Sequence, residues 1–270
     1  MRSERLSVRP FLRAASALAV VGALTSGCAA ADRTVRSADE SESSISPATA
    51  VSSASSAPSS SPSASPSSTD STAPASGPLP DLGPATLAEI PADSDQVVEV
   101  VGAGVNSPDS TLVLYQRTAS GWQAGAQWAA HNALHGWTEH KQQGDLRSPI
   151  GVFGLTDAGG FDPNPGSKLP YYRSDDFVIG GRGFEGESLA GSFDYVIAIN
   201  YNRKAGVSPL DDTYPLGWER GTGVWIHVDH GGPTHGCVSI PKQDIVTLRG
   251  LLDPSLHPVI VMGDAADLAR

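Results

Sequence analysis

Beyond about residue 97 the apolar residues fall into short runs: Val97–Val101, Thr111–Tyr115, Gly151–Leu155, Phe177–Ile179, Tyr195–Ile199, Val224–Val228 and Pro258–Met262. Turn-forming stretches separate them, such as Asp157-Ala158-Gly159-Gly160, Asp162-Pro163-Asn164-Pro165-Gly166 and Gly221-Thr222-Gly223. Runs of this length between Gly, Pro, Asn and Asp read as strands, so the pattern predicts a mainly β fold. One stretch keeps a helical period instead. Pro241 suits a first helical position, Ile245, Leu248, Leu251 and Leu252 recur at helical spacing, and Asp253-Pro254 ends the run. Within Gly144–Phe153 (GDLRSPIGVF), Pro149 and Gly151 flank a strand entry as turn chemistry would require.

Composition sets the boundaries of this pattern. Residues 37–80 are almost all Ser, Ala, Pro and Thr, and bury too little surface to offset the entropy of ordering them. The expected organisation is a leader over 1–27, a disordered tether over 28–80 and one folded domain over 81–270. A coil of the length of 37–80 reaches on the order of 35–40 Å, or more where proline stiffens it.

The formal charge is −11. Setting aside the leader's four Arg and one Glu leaves 14 basic and 28 acidic residues, a formal −14. With no basic cluster, nucleic acid is not expected as a partner, and neither is an anionic membrane surface.

The leader is an address. Met1–Arg13 is basic, and Ala14–Leu24 is an apolar run of eleven residues, short for a membrane span and suited to a secretory signal. It ends in Leu24-Thr25-Ser26-Gly27-Cys28, which resembles the lipobox of bacterial lipoproteins, with Thr25 where an aliphatic residue is usual. That resemblance implies cleavage before Cys28, lipidation of its thiol, and a protein anchored by lipid to the outer face of the membrane. An ordinary signal peptide that happens to contain a Cys is the plainer alternative.

The chain has two Cys. With Cys28 lipidated, Cys237 is a lone thiol in an exported protein, where it gives no cross-link and is open to oxidation. Its surroundings are rich in imidazole. His227, His230 and His235 fall within the eleven residues that end at Cys237. An imidazole can take a thiol's proton and leave a nucleophile. Gly236 removes a side chain beside the sulfur. The helix expected at Pro241 would place its N-terminal dipole near the thiolate. Two other readings of these residues stand beside this one. His227-x2-His230-x4-His235-x-Cys237 offers zinc-type ligands, although its spacing fits no standard zinc motif. A buried structural thiol among loop histidines is the other.

Thr234-His235-Gly236-Cys237 resembles the Ser/Thr-His-Gly-Cys signature of L,D-transpeptidases with a YkuD-type catalytic domain. Ile226-His227 at a strand end, and Ser148-Pro149-Ile150-Gly151-Val152-Phe153, are similar to two further features of that domain. The likeness runs from about Leu112 to Gly263. It implies a β-sandwich-like catalytic domain with a short helix after the nucleophile. It also implies cysteine acyl transfer on the tetrapeptide stems of peptidoglycan, by crosslinking or by release of D-Ala, in a monomer with no cofactor and no metal. Carried over by residue, Cys237 is the nucleophile, and His227 is the general base, held by a backbone carbonyl. His235 shapes the pocket, and the N–H groups of Gly236 and Cys237 bind the oxyanion.

Two features depart from the family. Six residues separate His227 from Thr234, fewer than is usual there, which shortens the loop over the site and leaves His230 as an alternative base. Ser239 stands where Asn or Arg is usual. These departures motivate an alternative function, a non-catalytic peptidoglycan-binding lipoprotein on a degenerate version of the fold. The remaining His and aromatic residues (His131, His135, His140, Trp128, Trp137, Tyr171, Tyr172, Trp218) and the cations Arg182, Arg203 and Lys204 read as packing, loop or surface positions.

Overall fold

A computed structural model describes residues 77–270. The expected signal peptide, Cys28 and most of the tether lie outside the described residues. The folded part begins before residue 81: Gly77 pairs with Trp122 through two backbone hydrogen bonds, and Leu79 is buried.

The chain is mainly β. Its elements are α1 (Pro84–Glu89), β1 (Gln96–Gly102), β2 (Asp109–Thr118), β3 (Gly121–His131), β4 (Trp137–Thr138), β5 (Ser148–Pro149), β6 (Gly151–Gly154), β7 (Asp157–Gly160), β8 (Tyr171–Arg173), β9 (Val196–Ala198), β10 (Trp225–Val228), β11 (Val238–Ile240), α2 (Lys242–Leu251), β12 (Val259–Asp264) and α3 (Ala265–Leu268). Ten strands form one sheet in the order β6-β12-β1-β2-β3-β11-β10-β9-β7-β8, and β4 and β5 pair separately. The sandwich-like detail therefore takes another form: a single hydrogen-bonded sheet curls on itself. Val98 and Val100 of β1, Ile197 of β9, Ile226 of β10, Ile240 of β11 and Ile260 of β12 all meet in one buried cluster, together with Ile245 and Leu248 of α2. Period-2 alternation sends the intervening residues to the opposite face. Val97, Val259 and Val261 pack there under Leu79, Leu82 and Leu268.

Six of the seven apolar runs lie on strands. Phe177–Ile179 does not. Phe177 is buried but Val178 is 63% exposed, and the stretch belongs to an irregular segment between β8 and β9 with no partner strand. The longest strand, β3, lacked a sequence signal because most of its residues are small or polar and only Ala130 is buried. It is held instead by its hairpin with β2, closed by Ala119-Ser120. In α2, Pro241 is the N-cap and not the first helical residue; Ile245 and Leu248 are buried, as is Leu252 just past the helix, while Leu251 faces out.

Candidate active site

The site grows out of two neighbouring parallel strands. β10 pairs with β11 in the register Ile226↔Val238, His227↔Ser239 and Val228↔Ile240. The alternation that buries Ile226, Val228, Val238 and Ile240 in the main core turns Trp225, His227, Cys237 and Ser239 to the other face. Cys237 thus sits beside Trp225, whose backbone N–H donates to Sγ at 3.5 Å. The thiol in turn donates to the carbonyl of Gly223 at 3.5 Å.

Cys237, His227, His230 and His235 all line one cavity of about 240 Å³, which Leu189 and Phe193 close on the apolar side. The sequence placed these four residues close along the chain, and the fold brings them to one space. Among the described residues, no three or more His, Cys, Asp or Glu side chains converge as metal ligands would.

His227 is buried. Its Nδ1 lies 2.9 Å from the carbonyl of Val228. A carbonyl only accepts, so the ring proton is on Nδ1 and Nε2 carries the lone pair. Phe193 meets the ring edge-on at 5.5 Å, and His230 stacks on it at 5.7 Å. Burial pushes its pKa down to about 4, so His227 is a neutral imidazole with a free nitrogen. His230 is placed differently: its Nδ1 pairs with Glu187 at 3.1 Å. His235 is exposed and packs against Phe184 at 4.6 Å between ring centroids.

Burial pushes the Cys237 thiol up to about 11, against the opposing influence of the Trp225 N–H and the charge of Lys141. A thiol near 11 and an imidazole near 4 form a neutral pair at rest, not a preformed thiolate–imidazolium. The helix dipole does not change this. Strand β11 intervenes between Cys237 and the first residue of α2, Lys242, so α2 starts about 16 Å along the chain, beyond the one turn over which a dipole acts.

The loop of the Thr-His-Gly-Cys motif is fixed by Thr234. Its hydroxyl donates to the carbonyl of Cys237 at 2.7 Å and accepts the N–H of Gly236 at 3.2 Å. The Gly236 N–H, expected to bind an oxyanion, is therefore already engaged. Ser148, from the Ser-Pro-x-Gly-x-Phe strand, also donates to the carbonyl of Cys237, at 3.3 Å, and accepts the N–H of Ala133. Gly151 in the same stretch has φ +144°, a conformation other residues rarely adopt.

Both sequence departures have structural counterparts. Ser239 donates to Asp229 at 2.7 Å, and Asp229 also pairs with His131 at 2.8 Å and accepts the N–H of Gly231 at 3.0 Å. Burial raises the Asp229 carboxyl, but these hydrogen bonds outweigh it and hold the pKa below the usual range. Ser239 thus anchors the short loop through a carboxylate. Cover for the site comes from elsewhere, from the segment between β8 and β9. Its Phe193 and Phe177 pack edge-on against Trp225, its Ser192 carbonyl accepts the N–H of Val228, and Glu187 and Phe184 hold His230 and His235.

Sequence reasoning missed Glu187, Phe193 and Lys141, because each approaches from a distant part of the chain, and passed over Asp229, whose role depends on the distant His131. Elsewhere, Arg203 is buried against Asp157 at 2.9 Å, Trp137 is buried, and Trp218 is 60% exposed.

No family model matches the chain, and no curated protein matches it in sequence. Among solved structures it is similar to the structure of Bdellovibrio bacteriovorus Bd1075, at 15% identity and a TM-score of 0.35, over 63% of this chain and 48% of that one. The chain thus spans about half the length of that neighbour. A likeness this distant carries no argument about family or chemistry. No helix among the described residues is long and apolar enough to cross a membrane.

Proposed function

We propose that this chain is an L,D-transpeptidase-type enzyme, exported and tethered by lipid at Cys28, that performs cysteine acyl transfer on peptidoglycan tetrapeptide stems. One observation carries the reading: Cys237 of the Thr-His-Gly-Cys motif shares a single cavity with His227, whose Nδ1 is tied to a carbonyl and whose Nε2 is free. In this reading Nε2 takes the thiol proton as sulfur attacks the carbonyl of the third stem residue. The S–C bond forms, the C–N bond to D-Ala breaks, and His227 returns the proton to the leaving amine. An amine of a second stem, or water, then takes the acyl group from the thioester. His227 is favoured over His230 as the base because it lies on the strand paired with β11, which Cys237 directly precedes, while His230 is committed to Glu187.

The alternative is a non-catalytic peptidoglycan-binding lipoprotein. It draws on the raised thiol and on the engaged Gly236 N–H. Incubation with tetrapeptide-bearing muropeptides separates the two. The enzyme reading expects D-Ala release or crosslinked dimers that vanish in Cys237→Ala. Binding with no product, or product that survives Cys237→Ala, refutes it. A carbapenem adduct located on Cys237 by mass spectrometry is a second expected result.

A further inference from the structure

Cys237 has a second side. Away from the histidine cavity, it borders a smaller one of about 140 Å³, lined also by Lys141, Leu146, Gly223, His235 and Gly236. Among the described residues, Lys141 is the only Lys or Arg lining either cavity. It is 4% exposed. Its ammonium donates to the carbonyl of Gln142 at 2.9 Å and pairs with Asp145. Asp145 is itself clamped by the N–H groups of Gln142 and Arg147. Two of the three ammonium N–H groups thus have partners, and the third has none among the described residues. Two glycines make room for this side chain. A Cβ on Gly236 would come within 3.3 Å of Lys141 Cε and 3.7 Å of Nζ, and one on Gly221 within 3.1 Å of Cε. The ammonium therefore lies against the backbone just before the nucleophile.

Burying a lysine is costly unless its charge is used, and a single carboxylate balances this one. Among the described residues, the two cavities hold no other lysine or arginine. The Gly236 N–H is taken by Thr234, α2 begins a strand away, and His227 is buried as a neutral ring.

We propose that Lys141 is a positioning cation for Cys237: its ammonium offsets the negative charge that develops at the sulfur when the thiol is deprotonated, and then at the carbonyl oxygen of the bound acyl group. This rests on reading Cys237 as the nucleophile. An opposite charge within about 4–6 Å moves a titration by about one pH unit or more, which is about tenfold in the fraction ionised. The direction agrees with the lowering influence of Lys141 on the otherwise raised thiol.

The test is the pH profile of Cys237 alkylation by iodoacetamide in the full chain, read on the Cys237 peptide by mass spectrometry so that Cys28 does not contribute. Two variants break the same ion pair with opposite electrostatic effects. Lys141→Met removes the cation and is expected to slow alkylation about tenfold at fixed pH, with the profile moved to higher pH. Asp145→Asn frees the cation and is expected to move the profile to lower pH. Lys141→Arg keeps the charge and is expected to stay nearer the wild type than Lys141→Met. A purely structural pair predicts shifts of the same sign in both pair-breaking variants. Shifts of the same sign, or no shift in folded Lys141→Met, overturn the proposal. If Lys141→Met does not fold, Asp145→Asn decides alone, and a profile that is unmoved or raised overturns it. D-Ala release is followed in parallel: its absence in the wild type counts against the enzyme reading, while the alkylation shifts are judged independently of it.

Discussion

The buried neutral state of His227 makes a prediction about stability that needs no substrate. The ring is 3% exposed, tied at Nδ1 to Val228 and packed between Phe193 and His230, and burial lowers its pKa from about 6.5 to about 4. On acidification the unfolded chain takes up the proton first. The stabilising effect of keeping this histidine neutral is thus full above pH 6.5 and is lost as pH falls towards 4. Linkage between these two values gives a loss of about 2 kcal/mol by pH 5 and about 3 kcal/mol by pH 4, relative to pH 7. Other groups titrate over the same range, so the measurement is a difference. Urea unfolding of the wild type and of His227→Asn, which keeps a short N–H donor at this position, is compared at pH 7, 6 and 5. The wild type should lose about 2 kcal/mol more than the variant between pH 7 and pH 5. Parallel pH dependences in the two proteins would refute the buried, neutral assignment and, with it, the free Nε2 on which the proposed mechanism relies.

Thr234→Val removes the hydroxyl that holds both the Cys237 carbonyl and the Gly236 N–H, and should cost about 1–3 kcal/mol in urea unfolding. Glu99 lies buried on β1, and burial raises its carboxyl to about 7 against a hydrogen bond from Tyr115. Its ionisation opposes folding as pH rises through about 4.5 to 7, so Glu99→Gln should be more stable than the wild type by about 3 kcal/mol at pH 8, with the gain gone below pH 4. Glu187→Gln weakens the tie from the covering segment to His230. It should speed both proteolytic cleavage within residues 177–193 and alkylation of Cys237, with little change in melting temperature; unchanged rates would mean that the segment does not control access.

Much of this molecule is legible along the chain. The apolar runs at Val97–Val101, Thr111–Tyr115 and Val224–Val228 become strands because each carries enough β-branched and large apolar side chains to bury at least one face. The sequence also draws attention to Cys237, His227, His230 and His235, since they lie within eleven residues of one another. What it misjudges depends on partners far away in sequence. β3 has little apolar pattern of its own and is recruited by pairing with β2. Phe177–Ile179 has strand-like composition but no neighbour to bond, so it serves as cover.

The site follows the same division. Local sequence alone determines which groups can do chemistry: a thiol, three imidazoles and a glycine beside the sulfur. Only the tertiary structure decides their state. Burial makes the thiol and His227 neutral, the sheet register sets them on one face, and a strand keeps the helix dipole away. Lys141 and Glu187, 96 and 50 residues from Cys237 in sequence, supply the charges around them. Electrostatics and desolvation depend on distance through space, and chain separation carries no record of it until the sheet has curled.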